Sequence, residues 1–120
     1  MVENKLAKDV IGISIDIHKH LGPGLVTSAY RHCLLQELKK AGYEVELDKP
    51  ILTSYKDQKV DTGCQVDMMI DRRLILGLTS IETEQINTML QCLRLGDLKL
   101  GLLIDFNASL LKDGIKRVIL

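Results

Sequence analysis

The stretch from residue 74 to residue 104 reads LILGLTSIETEQINTMLQCLRLGDLKLGLLI and decides the fold. Its first part, Leu74–Leu78, is a near-continuous apolar run, which is typical of a central strand covered on both faces. Apolar residues at helical spacing from Glu82 to Leu95 predict a helix with acidic residues in its first turn. A second apolar strand follows over residues 98–104. This order of strand, helix and strand predicts a parallel crossover packed on a sheet.

Two helices are predicted before this unit. Apolar residues recur at steps of three and four over residues 6–20, which predicts the first helix. Gly22-Pro23-Gly24 ends it, because proline cannot continue the helical hydrogen bonds. A second helix is predicted from about residue 29 to residue 41, and Gly42 lies where a glycine would close it.

The remaining segments alternate with a period of two, which favours strands. One strand is predicted over residues 43–55 and another over residues 60–70, with a polar turn between them. In the second of these, one face carries Cys64, Val66, Met68 and Ile70, and the other carries Gln65, Asp67 and Met69. After the Asp113-Gly114 turn, Ile115–Leu120 forms the last strand. The sequence predicts a single α/β domain over residues 1–120, with a central mixed sheet flanked by helices in the order α-α-β-β-β-α-β-β.

Composition limits the classes of function. The 120 residues fit one domain, and the hydrophobic share of 46% supplies a core. Sixteen basic and sixteen acidic residues give a formal net charge of zero, so nucleic-acid binding has only weak support, although a local basic patch stays open. No apolar run approaches the roughly 20 residues that span a membrane, and the N-terminus lacks a signal-peptide layout. We therefore predict a cytoplasmic protein.

The spacing of the cysteine and histidine residues predicts no metal site. Cys33, Cys64 and Cys92 lack a C-x-x-C pair and are predicted to be reduced, buried residues. His18 and His20 would point about 200° apart on a helix, so they cannot hold one metal ion together. We predict that both histidines lie on the helix surface or in its last turn.

Several segments resemble the GxxExxY proteins, which are similar to the PD-(D/E)XK nuclease superfamily. The most specific is Ile17–Leu25, IHKHLGPGL, and it is followed by Ser28-Ala29-Tyr30. Residues 63–70, 100–107 and 110–117 extend the resemblance, which covers about Lys5 to Leu120. It implies a nuclease-like core in which a helix glutamate, a strand aspartate and an E-x-K on the next strand hold Mg²⁺ and activate water.

The residues that carry this chemistry are mostly missing. The G-x-x-E-x-x-Y motif falls on Gly24, Thr27 and Tyr30, so threonine replaces the glutamate. Asp67 matches the strand aspartate, but Gly77 and Thr79 stand where the resemblance places the glutamate and lysine of E-x-K. We expect these positions to lie near one another, with Gly77 and Thr79 on one strand face. The family's next-helix glutamine aligns near Thr88, and Gln85 replaces it if the helix starts one turn early.

The leading hypothesis is a nuclease-fold protein that has lost metal-dependent phosphodiester hydrolysis and acts as a binding or assembly module, with no metal cofactor. One carboxylate and a threonine supply too few ligands and too little charge for Mg²⁺. The alternative is an Mg²⁺-dependent nuclease on DNA or RNA with migrated ligands, the candidates being Asp67, Glu82, Glu84 and Asp16. A third hypothesis is a homodimer through an edge strand, either Val60–Ile70 or Ile115–Leu120. The sequence identifies no other partner.

Overall fold

Three helices enclose a five-stranded sheet in the computed structural model, which describes residues 2–120. Helices α1 (Val2–Leu21) and α2 (Thr27–Lys40) cover one face, and α3 (Thr83–Leu95) covers the other. The strands are β1 (Val45–Tyr55), β2 (Gln58–Ile70), β3 (Leu74–Leu78), β4 (Leu100–Ile104) and β5 (Ile115–Ile119), and a 3₁₀ turn, Leu111–Gly114, precedes β5. The predicted element order is confirmed.

The sheet has the strand order β1-β2-β3-β4-β5. Strands β3 and β4 are parallel, and every other neighbouring pair is antiparallel. Helix α3 connects the parallel pair, as residues 74–104 predict. The mixed sheet flanked by helices is therefore confirmed, and the carboxyl ends of β3 and β4 lie side by side.

Two apolar clusters hold the layers together. Alternate residues of β3, Leu74, Leu76 and Leu78, pack beneath α1 and α2. Ile75 between them packs beneath α3, where Met89 and Leu93 are also buried. This alternation puts the two faces of one strand into two separate cores, which explains why β3 is apolar almost throughout.

Several element boundaries differ from the predicted ones, and two of these differences have an explanation in the structure. Helix α1 begins at Val2, where its first turn is held by Glu3, a largely buried residue whose carboxylate lies 3.7 Å from the Arg73 guanidinium. Strand β4 begins at Leu100 because the Leu98 amide donates to the Leu93 carbonyl and completes the end of α3. Helix α2 also begins two residues early, at Thr27.

The hairpin of β1 and β2 continues past the sheet. Strand β2 pairs with β3 only over Met68–Ile70, whereas it pairs with β1 from Gln58 to Ile70. The prediction that Val60–Ile70 is an edge strand was wrong, because β2 lies between β1 and β3. The edge strands are β1 and β5.

The predicted faces of β2 also need one correction. Met68 and Ile70 pack beneath α1 and α2, but Val66 and Cys64 pack in the cluster beneath α3. Val66 and Met68 pair with Lys49 and Leu47, and Asp48 between those two adopts φ of 49°, so the face of β2 changes at this point; β3 pairs with β2 only from Met68 onwards. A simple two-residue period therefore fails at this point.

Within residues 2–120 no helix is long and apolar enough to cross a bilayer.

Candidate functional site

The Gly-Pro-Gly corner between α1 and α2 is closed by Tyr30. The Tyr30 hydroxyl donates to the Gly22 carbonyl at 2.5 Å and accepts from the Leu25 amide at 3.1 Å. Gly22 and Gly24 adopt φ of 72° and 94°, a region that favours glycine. Tyr30 is 1% exposed and its ring stacks on Phe106, with centroids 4.4 Å apart. Gly24 and Tyr30 of the motif therefore have structural roles in this chain.

Thr27, at the motif's glutamate position, lies at the start of α2. It lines a small crevice of about 20 Å³ with Tyr30, Leu78 and Asp105, at the carboxyl ends of β3 and β4. The residue is exposed and has no acidic group to offer a cation. It does not line the pocket that contains Asp67.

Asp67, Gly77 and Thr79 line one pocket, as expected from the sequence. This cavity, which we call the site pocket, has a volume of about 250 Å³ and lies between the sheet and α3. Its floor includes Val66, Leu76 and Leu103, and α3 contributes Glu84, Gln85, Thr88, Met89 and Cys92. The pocket is thus apolar at its base and polar along α3.

The Asp67 carboxylate is hydrogen-bonded to the protein backbone. Its Oδ2 atom accepts a hydrogen bond from the Leu78 amide at 2.7 Å. Backbone pairing between β2 and β3 extends only from Ile70 to Met68 on β2, so the two strands part at this point. The Asp67 side chain supplies the acceptor for Leu78 where the strands part, which is a structural role that needs no metal ion.

Gly77 leaves no space for an acidic side chain without rearrangement. A Cβ atom at this position would stand 2.9 Å from Leu103 Cδ2 and 3.4 Å from Met89 Cε. Both neighbours are buried in the cluster beneath α3. The space beside the strand at Gly77 is therefore filled by apolar side chains from β4 and α3.

Comparison with protein families matches residues 4–118 to the PD-(D/E)XK nuclease superfamily. The chain belongs to this superfamily. Comparisons with curated proteins and with solved structures gave no match.

The donor set does not fit the Mg²⁺ that the superfamily implies. Asp67 and Glu84 are the acids that line the site pocket, and one oxygen of Asp67 already accepts from Leu78. In the described part of the chain, no group of three His, Cys, Asp or Glu residues could hold a metal ion. Mg²⁺ prefers hard oxygen ligands in near-octahedral geometry, and this pocket offers few of them.

The other candidate ligands are dispersed. Glu82 is an exposed residue that precedes α3 and does not line the site pocket. Asp16 is exposed in a different groove, between α1 and α2. Only Glu84 of the three lies beside Asp67's pocket, so the structure does not bring the four candidate acids together.

Gln85 and Thr88, the two candidates for the family's glutamine, both line the site pocket. The Oε1 atom of Gln85 is buried and has no hydrogen-bond partner among residues 2–120. An acceptor without a partner is unfavourable in a low-dielectric environment unless a donor reaches it. This side of the pocket therefore suits a group that donates hydrogen bonds.

The histidines of α1 have different environments. His18 lies in the last turn, as predicted, but it is buried and its Nε2 donates to the Ala108 carbonyl at 2.9 Å. His20 is exposed. His18 therefore attaches α1 to the loop after β4, a contact between distant residues that helical spacing cannot reveal.

The burial of the three cysteines was predicted only in part. Cys92 is buried, but Cys33 and Cys64 are half-buried. The prediction that all three are buried was wrong for these two. Cys33 lines the groove between α1 and α2, and Cys64 packs against the cluster that contains Cys92.

Proposed function

We propose that this chain is a GxxExxY-type member of the superfamily that does not hydrolyse phosphodiesters and acts as a binding or assembly module. The observation that supports this proposal is the hydrogen bond that the Asp67 carboxylate accepts from the backbone. It is the one acid retained from the motif, and its Oδ2 atom accepts from the Leu78 amide while Gly77 beside it provides no ligand. Hydrolysis through a divalent ion requires several ligands that this pocket lacks.

The electrostatics of the site pocket also oppose phosphate binding. The described residues that line it include two acids, Asp67 and Glu84, and no lysine, arginine or histidine. A phosphate would meet negative charge without a cation to neutralise it. We infer that the pocket takes a ligand or partner side chain with an apolar part and hydrogen-bond donors, which match its floor and the buried Gln85 oxygen.

Self-association is the assembly part of the proposal. Of the two predicted edges, only β5 is an edge strand, and the exposed apolar residues Ile119 and Leu120 lie at its end and directly after it. Lys116 and Arg117 precede them and would repel the same residues of a second copy. We therefore expect a weak homodimer, detectable by light scattering as a concentration-dependent rise in mass. Added salt should strengthen the dimer, because it screens the repulsion between these basic residues.

The unpaired cysteines favour a reducing compartment, so we propose the cytoplasm as the location.

The second candidate function is an Mg²⁺-dependent nuclease that uses Asp67 together with Glu84. The observation that favours it is that both acids line the same pocket. This enzyme would bind Mg²⁺ or Mn²⁺ and cleave DNA or RNA. Measurements of metal binding and of nucleic-acid cleavage therefore decide between the two functions.

The experiment combines metal titration with cleavage assays. Calorimetry with Mn²⁺ should show no binding at micromolar concentrations, and neither single-stranded nor double-stranded DNA or RNA should be cut. Asp67→Asn is the appropriate control, since its amide oxygen can still accept from the Leu78 amide while the charge is removed. Metal-dependent cleavage that is lost in Asp67→Asn and in Glu84→Gln would establish the second function and contradict the first.

A further inference from the structure

The site pocket combines two carboxylates with an apolar floor. Asp67 belongs to β2 and Glu84 to α3, so one acid lies on the sheet wall and the other on the helix wall. The described residues that line the pocket include no lysine, arginine or histidine. Glu84 also lies in the first turn of α3, where its charge offsets the positive end of the helix dipole. The pocket therefore attracts a cation.

The size and the floor of the site pocket limit what this cation can be. Its volume is about 250 Å³, below the roughly 300–1,000 Å³ of pockets that hold drug-sized ligands. A single side chain suits this volume better than a larger molecule. Val66, Leu76 and Leu103 form the apolar floor, which favours a cation that carries a methylene chain.

The acceptors of the pocket favour a guanidinium group over an ammonium group. Oδ2 of Asp67 accepts from the Leu78 amide, which leaves Oδ1 to accept from a ligand. Gln85 lines the pocket from α3, and its buried Oε1 atom has no partner among residues 2–120. A guanidinium carries five N–H donors in one plane, so it can donate to acceptors on two walls at once. It is also more weakly hydrated than an ammonium, so entry into a partly apolar cavity costs it less.

A polar groove continues from the site pocket along α3. Glu84 and Thr88 line both the pocket and the groove, and the groove adds Thr83, Asn87 and Gln91. All five side chains are exposed, and only Glu84 is charged. Carboxamide and hydroxyl groups both donate and accept hydrogen bonds, so they can pair with the N–H and C=O groups of a peptide. The groove therefore suits the main chain beside a residue that is anchored in the pocket.

We propose that the site pocket binds an arginine side chain of a partner protein, with the peptide groups next to that arginine on the polar groove of α3. The inference rests on the proposed function, because it gives the chemistry of the partner that the binding module takes. The guanidinium donates to Asp67, Glu84 and Gln85, and its methylene groups lie on the apolar floor. Arginine is among the residues that most often anchor protein interfaces in this way.

An NMR titration of the full chain in EDTA tests the proposal. The ligand is the peptide Gly-Gly-Arg-Gly-Gly with both ends blocked, and the same peptide with citrulline in place of arginine is the neutral control. With the arginine peptide we expect saturable shifts of the Leu78 amide and the Gln85 carboxamide, and with the citrulline peptide we expect none. Absence of shifts with arginine, or equal shifts with citrulline, would overturn the proposal.

Two further ligands test the parts of the proposal separately. Butylguanidine has the same cation and methylene chain without peptide groups, so it should bind at least about threefold more weakly than the arginine peptide. Equal affinity would show that the groove takes no part and would overturn the assignment to a partner protein. The matching lysine peptide should also bind more weakly, and equal affinity would overturn the choice of arginine.

Variants that remove one charge locate the binding site. Glu84→Gln keeps the size of an exposed side chain and should weaken binding of the arginine peptide by about twofold to fivefold. Asp67→Asn should weaken it at least as much, and Glu84→Gln decides the question if Asp67→Asn fails to fold. Asp16→Asn is the matched control, because it removes the same charge from the groove between α1 and α2 and should leave the affinity unchanged. Equal weakening in Glu84→Gln and Asp16→Asn would contradict binding in the site pocket.

The result can be told apart from a failure of the proposed function. Binding of Mn²⁺ with cleavage of nucleic acid contradicts the proposed function, whatever the arginine peptide does. A chain that neither binds metal nor cuts nucleic acid, and that also fails to bind the arginine peptide, is still a non-hydrolytic module. Only the assignment of its partner is then overturned.

Discussion

Met89 on α3 lies directly over Gly101 on β4, and its sulfur is 2.5 Å from the point where a Cβ atom on Gly101 would stand. The same side chain lies 3.4 Å from the corresponding point on Gly77. Met89 thus covers glycines on two neighbouring parallel strands. Because it is already close to β4, it has little freedom to retreat when a side chain is added to β3.

Restoring the motif acid by Gly77→Glu should therefore destabilise the fold. Leu103 Cδ2 must move away from the added Cβ while Met89 is already in contact with it, and overpacking of this kind costs about 1–3 kcal/mol. Urea denaturation measures the change in the free energy of unfolding. Gly12→Glu is the matched control, since Gly12 is exposed on α1 with nothing within 4 Å of its added Cβ. The control should gain about 0.5 kcal/mol from helix propensity, and equal losses in both variants would refute the packing argument.

Removing the Asp67 side chain should reduce stability without any metal present. In Asp67→Ala the Leu78 amide, which belongs to a largely buried residue, loses its acceptor, and an unsatisfied buried donor costs about 1–3 kcal/mol. Asp67→Asn keeps an oxygen at the same place and should lose less. Denaturant unfolding of the two variants in EDTA makes the comparison. Equal stability of Asp67→Ala and the original chain would show that the bond to Leu78 is unimportant.

Tyr30→Phe should loosen the corner between α1 and α2. The change removes the bonds to the Gly22 carbonyl and the Leu25 amide but retains the ring that stacks on Phe106. We expect a loss of about 0.5–1.5 kcal/mol and faster hydrogen exchange at the Leu25 amide. Tyr55→Phe, at an exposed position on β1, is the control and should change neither quantity.

The contact between Asp9 and Tyr43 should make stability fall at acid pH. The Tyr43 hydroxyl donates to Asp9 Oδ2, and this bond, with a smaller contribution from Lys5, lowers the pKa of the Asp9 carboxyl below its ordinary value of 3.8. A carboxyl with a lowered folded-state pKa stabilises the fold above its unfolded pKa. That contribution is lost as pH falls through the lowered value.

Tyr43→Phe should move the pKa of Asp9 back towards 3.8, which an NMR titration of the Asp9 carboxyl carbon would measure. Lys5→Gln should cause a smaller shift, because the Tyr43 hydrogen bond is the larger cause. A larger effect from Lys5→Gln would reverse this assignment. The same bond raises the pKa of Tyr43 above its ordinary value of 10.0. The stabilisation that Tyr43 gives the fold is therefore fully present below pH 10 and is lost as pH rises through the raised pKa.

Sequence patterns predicted the parts of the fold that depend on local spacing. The crossover over residues 74–104 is confirmed because a continuous apolar strand, an amphipathic helix and a second strand permit few arrangements. The proximity of Asp67, Gly77 and Thr79 also followed, since it depends on neighbouring strands. Their roles as site positions come from the family resemblance and stay a prediction.

Features that depend on distant residues were not predictable. Met89 fills the space beside Gly77 from α3, and no spacing rule connects those positions. The change of face between Val66 and Met68 lies opposite Asp48 of β1, so the spacing within β2 alone placed Cys64 on the face of Met68. The position of β2 between β1 and β3 likewise depends on the whole sheet.

The bond from the Leu78 amide to Asp67 has a consequence for how related sequences are interpreted. If the aspartate is required to close a gap in the backbone, an inactive descendant that loses it also loses stability, so mutation and selection would retain it after turnover has ceased. Genomic surveys that score activity by this aspartate would then count inert proteins as enzymes. Gly77, where the family resemblance places a glutamate, makes no such bond, so that position would be the more informative marker.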